Sequence, residues 1–506
     1  MVRVVPNKGG SQADDIPSTS GREYLAYFVH RLLEFRKPEL ESLAQTVGCK
    51  AEEIRWRAPA GDVEHSPFWY LTLPSEDAAL QISKRMILTK MLVEVWGEGE
   101  DWADLTAAIQ ACPQEVKAPW LGPELTFRVV VESFGSSLPM DEQLELIKRL
   151  EFIPFKGAVR LRDPQARWAP LRRRMNGEGA RGSLGGVVPA RLYFGRLVGS
   201  SDRGVIDTYS LRRRRYLGPT SMDTEMALVM CNQGGVRRGS LVLDPYAGTG
   251  SILVAAAHFG AKVMGADIDI KVLREGKGGE RLTIHSNFQQ YGLRGPLDLV
   301  RLDTHRHPIR PDLAEVRLHA GRPQGQRAPI YQRKPPPACA FCCNPLALRC
   351  ATLPYTQPYT LGECLRDLLE LSARLLVVGG RLVYFLPATP ETYDKAEIPQ
   401  HPALELIANS EQILTTRYSR RLITMEKVRP YDAAAAAAYY ASHPDPTMSI
   451  DKLHDIVYEQ LPPQPPSSSA SSSSLAAAAV AAATEGGGVD GGTAVKPRRR
   501  CRGKNF

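Results

Sequence analysis

The sequence predicts an α/β protein. It has a small N-terminal α/β region, then an open, mostly parallel sheet able to hold a nucleoside at its carboxyl edge, then a disordered C-terminal tail. Three observations carry this. Strand-like and helix-like patterns alternate from Tyr24 to Ile153 and again from Ser210 to Tyr431. One strand–turn–helix unit at residues 240–269 combines glycines in the turn with an aspartate at each strand end. Beyond residue 431 the chain becomes runs of alanine, proline, serine and glycine.

The elements follow in order. Residues 1–22 are polar and glycine- and serine-rich, too poor in apolar side chains to offset the entropy of ordering. Tyr24–His30 alternates like a strand, and Glu34–Val47 predicts a helix opened by Pro38 and an acidic first turn. Pro67–Ser75 is aromatic and β-branched, a second strand. Glu76–Gly97 carries apolar residues at helical spacing up to Trp96 and predicts one long helix. A strand at 125–134 and a helix at 141–153 complete a first region spanning 23–200. The glycine-rich stretch 176–189 predicts a loop.

The second region spans 210–431. Strands are expected at Leu241–Leu243, Ala261–Gly265 and Leu297–Leu302, with a helix at Ser251–Phe259 stopped by Gly260. Leu361–Leu376 is an amphipathic helix that turns at Gly379-Gly380 into the strand Arg381–Pro387. Leu404–Val428 reads as a helix and two closing strands. Residues 432–506 form the low-complexity tail, ending in the basic run 496–504, a candidate nuclear-localisation or nucleic-acid-binding segment.

Composition narrows the function classes. No apolar run in the 506 residues approaches the roughly 18–20 residues that span a bilayer. The N-terminus carries no apolar core of signal-peptide length, so the expectation is a cytoplasmic protein with no membrane association, the basic tail leaving the nucleus open. Nine irregularly spaced cysteines argue against a disulfide framework. Cys339, Cys342, Cys343 and Cys350 contain only one C-x-x-C pair, so no metal site is assigned. The net charge of +9 is concentrated: residues 160–215 hold 14 arginines, no lysine and 4 acids. Such arginine density beside Trp168, Tyr193, Phe194 and Tyr216 suits a nucleic-acid backbone, because guanidinium pairs bidentately with phosphate. A solvated basic loop is the competing reading.

The strongest chemistry is the run Asp244-Pro245-Tyr246-Ala247-Gly248-Thr249-Gly250. Asp244 ends a strand where open α/β sheets bind ligands. Gly248 and Gly250 permit positive φ and close backbone approach. Asp267 ends the next strand, placed to accept both ribose hydroxyls of a nucleoside cofactor. A dinucleotide turn wants a third glycine, and Leu253 stands there instead. Asp244 would repel a pyrophosphate but not the cationic, phosphate-free S-adenosylmethionine, which is therefore the expected cofactor. Asp303, at the end of the third strand, is a candidate acceptor from the adenine amine, with a loop-capping role equally open.

These and several other segments together resemble one family. Glu34–Leu43, Ser66–Ala79, Leu150–Leu161, Tyr193–Arg196, Tyr209–Asp223, the Asp244–Gly250 run, Ala257–Asp269, Gly379–Pro387 and Ser419–Val428 are similar to the catalytic subunit of tRNA (guanine-10-N2)-methyltransferases. The resemblance covers about Tyr24 to Asp432. It implies a ferredoxin-like plus THUMP tRNA-binding region followed by a class I (Rossmann-like) seven-stranded methyltransferase domain. It also implies methyl transfer from S-adenosylmethionine to the exocyclic amine of a core guanosine, and a small zinc-binding activator subunit as partner. Asp244, Pro245, Gly248, Gly250, Asp267 and Asp303 fall on the family's cofactor positions, and Thr220 on a motif beside the cofactor.

One departure stands out. Amino-methyltransferases of this group carry [Asp/Asn]-Pro-Pro-[Tyr/Phe] after the fourth strand, where it orients the target amine. Between Asp303 and Leu361 this chain is proline- and arginine-rich, a composition that predicts the fourth strand to be missing. The nearest match is Asn344-Pro345, without a second proline or the aromatic, so the catalytic residue is left unassigned. Two readings stay open for the atypical insert 304–356: an error in the gene model, or a chain that binds tRNA but has lost its catalytic loop.

Overall fold

The computed structural model describes residues 21–59, 66–134, 137–173, 191–218, 221–276, 282–305, 307, 309, 316–321, 361–390, 393–416 and 418–443. Its N-terminal half is built on one mixed sheet. The strands are β1 (Arg22–Phe28), β2 (Arg55–Arg57), β3 (Phe68–Leu73), β4 (Thr89–Gly99), β5 (Phe127–Val129), β6 (Glu132–Phe134), β7 (Ala166–Arg173) and β8 (Arg191–Ser200). They lie in the order β2-β3-β1-β4-β8-β7-β5, with β6 also paired to β7. β1 is interior and covered on both faces, so Tyr24 through Phe28 are all buried.

Two expectations are corrected here. Glu76–Gly97 is not one helix. The helix stops after Ser83, and Thr89–Gly99 is the central strand β4. Because β1 and β8 flank it and both faces are packed, Met91, Leu92, Val93 and Trp96 are all buried. A strand buried on both faces reads as a continuous apolar run, which masks its two-residue period. The stretch 125–134 is two short strands rather than one.

The second sheet comprises β9 (Leu241–Asp244), β10 (Lys262–Asp267), β11 (Asp298–Arg301), β12 (Val316–Gly321), β13 (Leu376–Ala388), β14 (Leu404–Ile413) and β15 (Ser419–Lys427). Their order is β11-β10-β9-β12-β13-β15-β14. In order of appearance that is 3-2-1-4-5-7-6, with the last strand antiparallel to its neighbours. The fourth strand, expected to be missing, is present: β12 pairs in parallel with β9 at Leu318↔Val242 and with β13 at Ala320↔Val383. The prolines of this stretch bracket the strand at Pro311 and Pro323, and residues 312–322 contain none. Their summed number hid a segment fully able to donate to a ladder. Leu404–Ile413, expected to begin as a helix, is strand throughout.

The tail also begins later than expected. Ala433–Ser442 is a helix, opened by the Asp432 side chain, which accepts from the Ala434 and Ala435 amides at 2.8 and 3.2 Å. Such a cap and a docked face stabilise a short alanine-rich helix that would be marginal alone. Ala436 is buried and the Tyr440 ring lies against His401. Residues 444–506, the glycine-rich stretch 176–189 expected to be a loop, and the N-terminal 20 residues lie outside the described residues.

The two sheets meet through a polar joint. Glu39, on the helix Arg36–Thr46, is fully buried. Its carboxylate accepts from the Ile87 and Leu88 amides at 3.0 and 2.8 Å and from the Asn232 side-chain amide at 2.7 Å. Asn232 belongs to the helix Thr224–Gln233 that covers the second sheet. Arg85 reaches across to the Asn232 side chain and the Val236 carbonyl at 3.0 and 2.6 Å. Nearby, buried Glu225 binds Arg31 and Arg203.

Burial pushes the Glu39 carboxyl up to about 7, against the pull of its three donors. With a folded pKa above the unfolded value of 4.5, the folded state binds this proton more tightly. Its contribution is fully present below the unfolded value and is lost as pH rises to about 7. Replacing Glu39 with Gln aims an amide N–H at a donor and is expected to cost about 1–3 kcal/mol. Urea unfolding from pH 4 to 8 checks both points: the variant should be less stable throughout and should lose the decline between about 4.5 and 7.

Candidate functional site

The carboxyl edge of β9 and β10 gathers most of the residues singled out in the sequence. The apolar strand Leu241–Leu243 runs into Asp244, and the chain must then turn before the helix Ser251–His258. Gly248 and Gly250 make that turn at φ of 51° and 81°, a region that only glycine enters without strain. The loop is pinned by Ala247 N–H to the Ala266 carbonyl at 2.8 Å. Asp267 Oδ2 accepts from the Gly248 amide at 2.9 Å. Beside Gly248, the direction a Cβ would take is open for 4 Å, so the turn leaves space at this edge.

Leu253 explains the absence of a third glycine. Its Cδ1 would lie 2.7 Å from a Cβ at Gly265, across the helix–strand contact, and Leu299 Cδ2 would lie 2.9 Å away. The close packing that a dinucleotide fold obtains with a glycine on the helix is obtained here with a glycine on β10. Gly265→Ala should overpack this contact and cost about 1–3 kcal/mol. A thermal melt with cofactor affinity measured alongside checks it; an unchanged midpoint would mean that the contact yields.

The electrostatics of the edge are acidic. Asp244 is 1% exposed, and its Oδ1 accepts from the Tyr246 amide at 3.0 Å. Burial pushes its carboxyl up to about 8, with the charge of Asp267 adding to the rise. Asp267 is itself raised, first by burial. Its Oδ1 accepts from the Asp269 amide at 3.0 Å. The groups acting on both carboxyls are burial, backbone donors and other acids, with no cation among them. A cationic ligand would relieve this arrangement and a phosphate would worsen it.

The other predicted residues divide. Pro245 is buried in the turn. Asp303 stands two residues past β11, half-buried, and accepts from the His305 amide at 3.0 Å, so it caps its own loop while remaining at the edge. Thr220 and Asn344 lie outside the described residues. Ser221, next to Thr220, does touch the turn: its hydroxyl lies 2.8 Å from the Thr249 hydroxyl. The place expected for the amine-orienting turn follows β12, whose last residue is Gly321; the chain continues Arg322-Pro323-Gln324. Asn344 is more than twenty residues further along.

Several site residues carried no recognisable sequence signal. The Tyr246 hydroxyl lies 3.1 Å from Thr304 Oγ1 and 3.3 Å from Cys364 Sγ, tying the turn to the loop after β11 and the helix Leu361–Leu375. Asn287, fully buried, holds Tyr216 at both its amide and its carbonyl. Trp168, Tyr193, Phe194 and Tyr216, expected beside nucleic acid, are buried instead, and the first three belong to the core of the N-terminal half. The arginine count alone could not reveal that their rings are used for packing.

A seven-stranded 3-2-1-4-5-7-6 sheet with a glycine turn and aspartates after its first three strands defines a class I methyltransferase fold. Residues 22–203 match the family model of the Tmrp11 THUMP N-terminal domain, and residues 212–296 that of the RMKL-like methyltransferase domain. The tRNA (guanine(10)-N(2))-methyltransferase TRMT11 of Bos taurus is 35% identical over 81% of this chain and 89% of its own length. The Homo sapiens and Dictyostelium discoideum proteins of that name are 34% and 33% identical, each over 81% of this chain and over 89% and 83% of their own lengths. The chain belongs to this TRMT11 family. The crystal structure of TrmN from Thermus thermophilus covers 80% of this chain and all of its own at 18% identity and a TM-score of 0.36.

Proposed function

We infer that the protein is an S-adenosylmethionine-dependent tRNA methyltransferase acting on the exocyclic N2 amine of guanosine 10. The observation that carries this is the pair of poorly solvated carboxylates, Asp244 and Asp267, around an open glycine turn, in a chain of the TRMT11 family. The residues present fit the cofactor. Asp267 is placed to accept from the ribose hydroxyls, Asp244 offers negative charge to a cation, and Asp303 can accept from the adenine amine. Pro245, Gly248 and Gly250 shape the turn against which the nucleoside rests, and Thr220 continues the segment that Ser221 anchors to Thr249. S-adenosylmethionine supplies an electrophilic methyl group. The chain's task is to hold the amine in line with it and to exclude water. The target base must leave the tRNA stack to reach this edge.

A small zinc-binding activator subunit completes the enzyme in this reading, and the setting is cytoplasmic. Among the described residues no helix is long and apolar enough to cross a membrane. A second reading, tRNA binding without transfer, is favoured by one observation: Gly-Arg-Pro-Gln occupies the position after the fourth strand where an Asp-Pro-Pro-Tyr-type turn is expected.

Incubating the full chain with unmodified tRNA and methyl-labelled S-adenosylmethionine, with and without the activator, separates the two. The expected product is labelled N2-methylguanosine at position 10. Bound tRNA with no label in either condition would support the binding-only reading. Asp267→Ala removes hydrogen bonds to a charged group worth about 1.5–3 kcal/mol each. Cofactor affinity by calorimetry should therefore fall on the order of 10- to 100-fold, with tRNA affinity retained.

A further inference from the structure

The arginine-rich window 160–215 is not one surface. Arg196 is buried, bound to Glu76 through both terminal nitrogens at 2.8 Å and to Glu94 at 2.8 Å, and stacked on Trp120. Arg191 pairs with Glu98 and Glu100, and Arg203 with Glu225. Arg214 is also buried, donating to Ser251 Oγ at 2.6 Å and to the Tyr209 carbonyl at 3.1 Å. These four serve the fold. On either side of Arg214, however, Arg212, Arg213 and Arg215 are exposed, and among the described residues none has an ion-pair partner.

The backbone that displays them is held with unusual completeness for a surface segment. Gln290 accepts from the Arg215 amide at 2.9 Å and donates to the Arg213 carbonyl at 2.6 Å. One turn earlier on the same helix, Asn287 accepts from the Tyr216 amide at 2.8 Å and donates to the Tyr216 carbonyl at 2.9 Å. Two side-chain amides at i, i+3 spacing thus each use donor and acceptor, and they hold the turn and bend at residues 213–216 against one helix face. Arg214, pointing inward, is the peg. A solvated basic loop has no need of such fixation.

The segment is also fixed to the cofactor turn. Arg214 binds Ser251, the first residue after Gly250. The Asn287 amide also lies 3.4 Å from the Thr249 carbonyl, and the Tyr216 hydroxyl donates to the Val272 carbonyl at 2.7 Å, beyond β10. A Cβ at Gly218 would stand 3.0 Å from Thr249 Cγ2. Three guanidinium groups without an ion-pair partner among the described residues are therefore carried by a backbone hydrogen-bonded beside the turn proposed to hold the cofactor.

We propose that Arg212, Arg213 and Arg215 form a phosphate clamp that holds the tRNA backbone beside the flipped base. This rests on the tRNA reading above. Guanidinium forks suit phosphate bidentately, and their fixed spacing sets register without reading bases. The clamp belongs to the methyltransferase half, because Arg214 and Asn287 tie its backbone to the glycine turn.

The test uses the full chain carrying Arg212→Gln, Arg213→Gln and Arg215→Gln, singly and together. Unmodified tRNA binding is measured at several salt concentrations, with cofactor affinity and thermal midpoint as controls. Removing one guanidinium from a phosphate should make the log–log salt slope shallower by about one, so the triple variant's slope should be shallower by about three and its binding on the order of 10- to 100-fold weaker near physiological salt. Gln290→Ala keeps all three charges but frees their backbone, and should raise KM for tRNA with cofactor affinity unchanged. Triple-variant affinity within twofold of wild type with an unchanged salt slope would overturn the clamp, as would wild-type protein that does not bind tRNA. Wild-type protein that binds tRNA through these arginines yet makes no N2-methylguanosine would sink the methyl-transfer reading and leave the clamp standing. Should the triple variant melt early, the single variants carry the slope measurement.

Discussion

The buried carboxylate of Glu39 is the contact on which the arrangement of the two sheets depends. It accepts from two consecutive amides, Ile87 and Leu88, that enter β4, and from Asn232 on a helix of the second sheet. A polar group taken out of water is costly unless its hydrogen bonds are made, and here three donors from both halves meet its oxygens while burial holds its pKa up to about 7. Sliding one half against the other would leave these buried groups without partners. Glu225 with Arg31, and Arg381 with Gln45, also join the two halves along the same junction. A surface that recognises one part of a tRNA and a pocket that modifies another need a fixed separation, and directional polar contacts set one more sharply than apolar packing does.

At the carboxyl edge of the second sheet the same physics operates with the opposite balance. Asp244 and Asp267 are poorly solvated and face backbone donors rather than cations. A pair held in that way favours a positively charged neighbour, as the proposed cofactor site requires. Glycine placement completes the difference. Gly248 keeps the turn open toward solvent, while Gly265 lets Leu253 pack where a dinucleotide fold would have thinned the helix. The edge is thereby suited to a cationic nucleoside and unsuited to a pyrophosphate.

Positive charge is sorted by the fold in a comparable way. Arg191, Arg196, Arg203 and Arg214 are consumed by carboxylates, carbonyls or a hydroxyl of the chain itself. What remains for a ligand is set by which side of a backbone each residue occupies. Arg213 and Arg215 are exposed and Arg214 between them is buried, because the turn at 210–214 and the Gln290 and Asn287 side chains that hold residues 213–216 aim only Arg214 inward.

The glycine turn proposed to hold the cofactor is legible in the chain before any folding is considered. Asp244, Gly248, Gly250 and Asp267 are close neighbours in sequence, and a strand–turn–helix–strand unit places them by its own geometry. Features that depend on distant neighbours are not legible in this way. β4 reads as helix because core side chains pack against both its faces, Leu92 on one and Met91 and Val93 on the other, and erase the alternation that marks a strand. β12 is hidden because flanking prolines dominate the composition, whereas pairing depends only on the six residues that enter the ladder. The use of the aromatic rings as core, the division of the arginines and the carboxylate joint at Glu39 all join residues tens to hundreds of positions apart. Spacing along a chain records periodicity within an element; it does not record which element will lie across from it, and burial and charge pairing are settled there.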